Sequence, residues 1–424
     1  MPNLSRSRGV TLLEVMIAMA VTMIVVAGTV IAVRSQQKAY GEGQRLRGAQ
    51  NAARRALLAV EASLPSAGIG MDGPLAFDLS GWTSGPCPSQ MGACSRDSVS
   101  NSDELTFFAR DLDYWTPQDS TQDPVGNAWM VNSVASGSLN LNAHPNDVFR
   151  QGQILAIVCS AGAPYGYATV SANTAVPPTV TADVFAMDVP IVAVDTNNPF
   201  KRQDAVYSCG ASTDKPRAFL VNKYRFHVRP VSLGGTQYDP LLVLDRGLDL
   251  NGDNVVDQND EQLISEGIES MQVGYLFANS AIPMAGASPG TPVTFAPDVV
   301  TSTANTSANR IGATTFPGTP SQPGESPYLA SSFYQWADGT IARQSNQQAN
   351  VVAVRITFLA RSVASDVQSS VRGTSYFPVL NQNLQPTWVS GYATSLGGHD
   401  GYQRVVLETT VATPNLNTRA MPYF

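Results

Sequence analysis

The chain predicts an α+β fold: a long N-terminal α-helix packed on a large, mostly antiparallel β head. Three observations point there. Residues 10–64 contain no proline and carry first a continuous apolar run, then apolar residues at helical spacing. After Pro65 the pattern changes to short alternating or β-branched runs separated by Gly, Pro, Asn and Asp. No strand–helix–strand rhythm and no internal repeat of roughly 20–50 residues appears, which argues against a parallel sheet or a solenoid.

The helix comes first. Residues 6–33 read RSRGVTLLEVMIAMAVTMIVVAGTVIAV. Arg6, Arg8 and Gly9 open the segment, and the apolar run behind them holds one charge, Glu14. Val15 to Val33 holds none, with Thr22 and Thr29 as mild polar breaks. About 20 apolar residues cover the ~30 Å hydrocarbon core of a bilayer, so residues 10–33 are long enough to span one. A secretory signal peptide has a shorter apolar core of ~7–15 residues with its cleavage site behind it. Here the run is longer and Gly9 lies in front. A plain anchor leaves Glu14 unexplained, because a carboxylate buried in such a run costs roughly 2.5–3.5 kcal/mol. Either Glu14 stays hydrated at the headgroup level, or it has a cationic partner.

Residues 34–64 continue the helix. Tyr40, Leu46, Ala49, Ala53, Ala56, Leu57, Val60 and Leu64 approximate a 3.6-residue period and predict a stripe facing the head, with Arg54, Arg55 and Glu61 facing outward. Residues 10–64 as one helix measure about 80 Å at ~1.5 Å per residue. Gly28, Gly41, Gly43 and Gly48 are its weak points, each costing ~1 kcal/mol relative to alanine.

The head occupies residues 65–424. Its candidate strands are 104–109, 129–134, 154–159, 167–170, 218–228, 240–244, 271–276, 351–360 and 404–412. Residues 279–330 are dominated by Pro, Gly, Ser, Thr, Ala and Asn without periodicity and predict a long irregular insertion. A formal charge of −7 with only 14% charged residues argues against a nucleic-acid binder. The four cysteines, Cys87, Cys94, Cys159 and Cys209, are an even set that suits disulfides in an exported chain. Three pairings are possible; the short loop between Cys87 and Cys94 favours that bridge, with Cys159 and Cys209 as the other. A zinc site is disfavoured, since no C-x₂-C pair exists and the only histidines are His144, His227 and His399. No nucleophile elbow, P-loop or HExxH motif is present, so the sequence reads as a non-enzyme.

One loop carries metal-ligand spacing. In DLNGDNVVDQNDE, residues 249–261, oxygen-bearing side chains fall at positions 1, 3, 5, 9 and 12: Asp249, Asn251, Asp253, Asp257 and Asp260. Val255 at position 7 offers its carbonyl, and Val256 is apolar enough to tuck the loop onto the core. Hard Ca²⁺ takes six to eight oxygens, and this spacing wraps a chain around one ion. The loop resembles EF-hand and dockerin loops, with Asn254 in place of the turn glycine and Asp260 in place of the final Glu. The expected role is structural.

The N-terminal segment closely resembles the prepilin leader of type IV pilins: a short basic leader (residues 1–9) ending in Gly, an apolar start, and Glu at the fifth position after it. Val10 stands where the family usually has Phe. The stretches at 100–111 and 351–362 and the C-terminal QRVVLETTVATPNLN are similar to PilW-like minor pilins. The resemblance implies cleavage between Gly9 and Val10 by a prepilin peptidase, N-methylation of Val10, and pairing of Glu14 with a neighbouring subunit's terminal amine. It implies a single-pass inner-membrane subunit with a periplasmic head, which helps prime pilus assembly and then sits at or near the pilus tip. Expected partners are the major pilin, other minor pilins and a large tip-associated adhesin. A type II secretion pseudopilin shares the leader and helix. An adhesin head is the third reading, permitted by residues 279–330 and by Trp82, Trp115, Trp129, Trp336 and Trp388.

Overall fold

The computed structural model of the chain describes residues 11–70, 76–77, 102, 104–111, 128–135, 137–144, 147–158, 166–175, 185–193, 216–234, 237–277, 336–337, 340–341, 351–362 and 402–417. All structural statements concern these residues. Cys87, Cys94, Cys159, Cys209 and the 279–330 segment lie outside them, so the disulfide and insertion expectations have no structural counterpart here.

Helix α1 runs from Leu12 to Ser63 without interruption, across Gly28, Gly41, Gly43 and Gly48. Thr22 and Thr29 do not break it, because each hydroxyl donates to the carbonyl four residues earlier, Ala18 and Val25, at 2.7 Å. The helix ends where proline denies it the next donor: Leu64–Ser66 form a single 3-10 turn containing Pro65. Its C-terminal half buries Ala49, Ala52, Ala53, Ala56 and Val60, followed by Leu64. Tyr40 and Leu46 were expected in this stripe but are 67% and 40% exposed, and the first fully buried residue of the helix is Ala49. Glu61, expected outward, is instead half-buried and accepts from Thr409 Oγ1 at 2.6 Å.

The strands follow in chain order: β1 (Leu105–Arg110), β2 (Trp129–Ala135), β3 (Ser138–Ala143), β4 (Val148–Phe149), β5 (Ile154–Val158), β6 (Gly166–Thr169), β7 (Thr174–Ala175) and β8 (Phe185–Pro190). Then come β9 (Arg217–Gly234), β10 (Gln237–Asp245), β11 (Gln262–Glu266), β12 (Ile268–Phe277), β13 (Trp336–Ala337), β14 (Thr340–Ile341), β15 (Val351–Arg361) and β16 (Arg404–Ala412). A short helix α2 (Pro414–Asn417) closes the described chain. Every strand pairing among the described residues is antiparallel.

β9 is the spine of the larger sheet, whose main order is β11-β10-β9-β2-β3-β8. Its 18 residues are long enough to serve four neighbours in turn. The first part pairs with β2 and β5 (Ala156↔Phe219), and the rest with β1 (Phe107↔Tyr224) and β10 (Leu244↔Phe226). The second sheet has the order β12-β15-β16, with Met271↔Phe358 and Val354↔Val411 in register.

Helix α1 packs against both sheets. One core cluster combines Ala52, Ala53, Ala56 and Val60 with Phe107, Phe226 and Leu242 from the larger sheet and Met271, Ile356 and Phe358 from the smaller. A second cluster fills the far end of the larger sheet around Trp129, Leu141, Phe149 and Leu155. Trp129 is a core residue: it is buried, tilts on Phe149 at 5.1 Å, and donates through Nε1 to Asp147 Oδ2 at 2.7 Å. At the near end Phe107 stacks on Tyr224, with ring centroids 5.0 Å apart, and touches Phe77 and Phe226.

Phe107 is fully buried whereas Leu58 on α1 is 64% exposed. We predict that Phe107→Ala lowers the stability of the detergent-solubilised chain by about 3–5 kcal/mol in urea unfolding, while Leu58→Ala stays within about 0.5 kcal/mol. Equal effects at the two positions contradict this packing.

Candidate functional site

Two constellations carry chemistry: the start of α1, and the loop between β10 and β11.

Gly9 and Val10 lie outside the described residues. The first described residue, Thr11, is the N-cap of α1. Thr11 Oγ1 accepts from the Glu14 backbone N–H at 3.3 Å, and Glu14 Oε2 accepts from the Thr11 backbone N–H at 2.9 Å. Thr11 Oγ1 lies 3.1 Å from the same Oε2. This reciprocal arrangement is a capping box, which satisfies donors that a helix start otherwise leaves open. It also puts the carboxylate at the positive end of the helix dipole. Both Thr11 contacts fall on Oε2, so Oε1 has no hydrogen-bond partner among the described residues. Glu14 is exposed, as is every residue from Leu12 to Val33. Chemically, the helix start offers one carboxylate oxygen to an incoming cationic donor, on a helix long and apolar enough to cross a membrane.

The second constellation depends on an ion network at the end of β10. Lys223 and Arg225 reach Asp245 Oδ2 at 3.0 and 3.3 Å, and Arg225 also reaches Glu104 at 3.0 Å. Burial pushes the Asp245 carboxyl up, but Lys223, Arg225 and the Gly247 N–H outweigh it and hold its pKa at about 2. Gly247, at φ +64°, turns the chain into the loop. Its carbonyl oxygen lies so close to Gly152 that a Cβ built there would sit 1.9 Å away, and Gly152 has φ +88°. No other residue fits at position 152.

The loop itself is tied by its own carboxylates. Buried Asp249 accepts from the backbone N–H of Gly252 at 2.6 Å through Oδ1 and of Asn254 at 2.7 Å through Oδ2, and also from the Asn173 amide. Burial pushes its pKa up, but these bonds, from the Asn173 amide first, win and hold it below the usual carboxylate range. Asp260, also buried, accepts from Leu250 and Asn251 through Oδ1 and from Asp257 through Oδ2. Asn251, Asp253 and Asp257 each accept from the backbone N–H two residues on, at 2.7–2.8 Å. Asn254 adopts φ 64°, the left-handed turn expected of it in place of glycine. Val256 is half-buried beside Gly152. Arg150 Nη1 donates to the carbonyls of Asp249 and Leu250 at 3.1 and 3.2 Å.

The five oxygen-bearing side chains therefore sit on one curled loop, but each is already an acceptor for backbone. Among the described residues no three Asp, Glu, His or Cys side chains converge as a ready metal cluster. Asp249 Oδ2 and Asp260 Oδ1 each already accept two of these bonds, so the lone pairs open to a hard cation lie on the singly bonded oxygens of the loop. Sequence reasoning missed Arg150, Asn173 and Gly152, which come from a distant part of the chain. It also missed His227 and Arg229, which hold Glu261 at 3.3 and 2.6 Å beside the loop.

Comparison with known families matches residues 4–30 to the Prokaryotic N-terminal methylation motif. No curated protein and no solved structure matches the chain. The motif, on a long apolar N-terminal helix, supports a protein of the type IV pilin or pseudopilin class. It fits membrane anchoring before assembly, with association with other pilins and with a prepilin peptidase.

A carboxyl held at about 2 when folded adds stability above its ordinary value of 3.8 and loses it as pH falls from about 4 to about 2. Asp245 thus contributes about 2 kcal/mol near neutral pH. We predict that Asp245→Asn lowers the urea midpoint at about pH 6 and shrinks the further drop seen between about pH 5 and pH 2. An unchanged acid limb means that Asp245 does not carry it.

Proposed function

We propose that the chain is a minor pilin of a type IV pilus, anchored in the inner membrane with its head in the periplasm before assembly, then placed at or near the pilus tip. The observation that carries this reading is Glu14, whose Oε2 is held by Thr11 while Oε1 is left for a cation. In a low-dielectric helix bundle, an amine from a neighbouring subunit reaching Oε1 replaces the missing water and fixes the height of one helix against the next. The matched motif supports cleavage between Gly9 and Val10 and methylation of Val10. A head of some 360 residues favours a rare position over a close-packed shaft. Its partners in this reading are the major pilin, other minor pilins and a large tip-associated adhesin. The role is one of assembly, without catalysis.

The matched motif equally supports a type II secretion pseudopilin. A deletion strain separates the two: loss of pili with normal secretion supports the minor pilin, and the reverse supports the pseudopilin. For Glu14→Ala we predict normal chain levels in the membrane, impaired piliation and lost co-purification with other minor pilins. Normal pili and normal co-purification overturn the pairing.

The same reading includes a structural Ca²⁺ on the β10–β11 loop, taken by Asp249, Asn251, Asp253, Asp257 and Asp260 with the Val255 carbonyl. The spacing and the left-handed Asn254 support it. A bound ion offsets the mutual repulsion of the four aspartates and stabilises the folded state by linkage, about 2.7 kcal/mol at a hundredfold excess over Kd. The detergent-solubilised chain is then expected to melt higher in Ca²⁺ than in EGTA, and Asp249→Asn to abolish the difference. Identical melts, with no metal in the purified protein, sink this part of the reading.

A further inference from the structure

The head-facing stripe of α1 is apolar, and its opposite face has a composition of its own. Tyr40, Gln44, Arg47, Asn51, Arg54 and Leu58 recur at alternating spacings of four and three, so they line one face of the helix. All six are exposed, Tyr40 by 67% and Leu58 by 64%, and Arg55 flanks the line, also exposed. The stripe runs about 27 Å at ~1.5 Å per residue. Residues 43–60 contain no carboxylate at all.

Four arginines of the head behave differently. Arg225, Arg229, Arg355 and Arg404 each pair with a carboxylate, Glu104, Glu261, Glu408 and Glu269 respectively. Arg47, Arg54 and Arg55 make no ion pair among the described residues. A chain with formal charge −7 thus concentrates unpaired positive charge on one helix face framed by two exposed apolar side chains.

We propose that this face docks an acidic helical surface of a partner protein, with carboxylates spaced to meet Arg47, Arg54 and Arg55 and apolar contacts to Tyr40 and Leu58. Three other occupants fit worse. A second copy meeting the same face sets arginine against arginine. Anionic lipid headgroups adjoin the end of the apolar run near Val33, and Arg47 lies about 21 Å further along the helix, well beyond the ~8 Å Debye length. Nucleic acid is disfavoured by the acidic chain as a whole. The inference does not depend on whether the chain serves a pilus or a secretion system.

The test places a photo-crosslinking residue at position 51, between the arginines, in the full-length chain expressed in its native cells. The expected result is an adduct to a protein whose crosslinked peptide carries Asp or Glu at helical spacing. The adduct falls about tenfold, the order expected from losing several exposed ion pairs, when Arg47, Arg54 and Arg55 are all changed to Glu. It persists when all three become Lys, and it returns in the Glu variant when the partner's carboxylates are changed to Lys. An adduct to lipid, to a second copy of this chain, or one indifferent to charge reversal overturns the proposal, as does the absence of any adduct in the unreversed chain. Chain levels and thermal melts of each variant verify folding, and the unreversed crosslink stands apart from them.

Discussion

The close approach of α1 to the seam between the two sheets is the contact on which the head is organised. Alanine at positions 49, 52, 53 and 56 makes that approach possible, since larger side chains would hold the helix backbone away. The consequence is visible in one buried hydrogen bond. Ser265 Oγ reaches the backbone carbonyl of Ala52 at 3.0 Å, which a bulkier helix face would prevent. Alanines bury little apolar area each, so the helix relies on what meets them: Phe107, Phe226, Met271, Ile356 and Phe358 supply the large surfaces. The two sheets share this cluster, and the helix completes the core of both.

Electrostatics in the head follow a different economy from that of the helix. Buried charge is neutralised locally, as where Glu269, fully buried, takes two bonds from Arg404 at 2.7 and 2.9 Å. Asp249 and Asp260 are neutralised largely by peptide dipoles, a device that needs a tightly curled chain. On α1, Thr11 and Glu14 cap each other at the exposed helix start, and half-buried Glu61 accepts from Thr409. Arg47, Arg54 and Arg55 of the helix stay open to solvent, whereas Arg225, Arg229, Arg355 and Arg404 of the head are each closed by a carboxylate.

The long helix was legible because nothing in residues 10–64 contradicts it, and proline at 65 marks its end. The central strands were legible where Val, Ile, Phe and Leu dominate: β16 coincides with its predicted span, and β1, β2, β5 and β15 agree within a residue or two at each end. β3 was missed because Ser138, Asn140 and Asn142 read as turn chemistry. In the fold they form the polar side of a regular alternation with Leu139, Leu141 and Ala143. Asn132 donates to Asn140 and Asn142, and Asn140 donates to Asp188, so an outward amide ladder supports strands that propensity disfavours. β11 was missed for a related reason, since its sequence QLISE has one buried position, Ser265. The loop at 249–261 showed its ligand spacing in sequence, but its braces Arg150, Asn173 and Gly152 come from about a hundred residues earlier or less, and no local pattern announces them.

The attachments of α1 to the head have a mechanical side. They are spread along the axis: Ser265 at Ala52, Thr409 at Glu61 and Asn415 at the Pro65 carbonyl, with the alanine contacts between them. Tension applied through the N-terminal half of the helix runs parallel to this row. The contacts are then strained together in shear, instead of opening one at a time as they would in a peel. Because Ser265 belongs to the larger sheet and Thr409 to the smaller, the strain divides between two β layers. A subunit tethered by its helix and pulled by its head is braced along the direction in which that force acts.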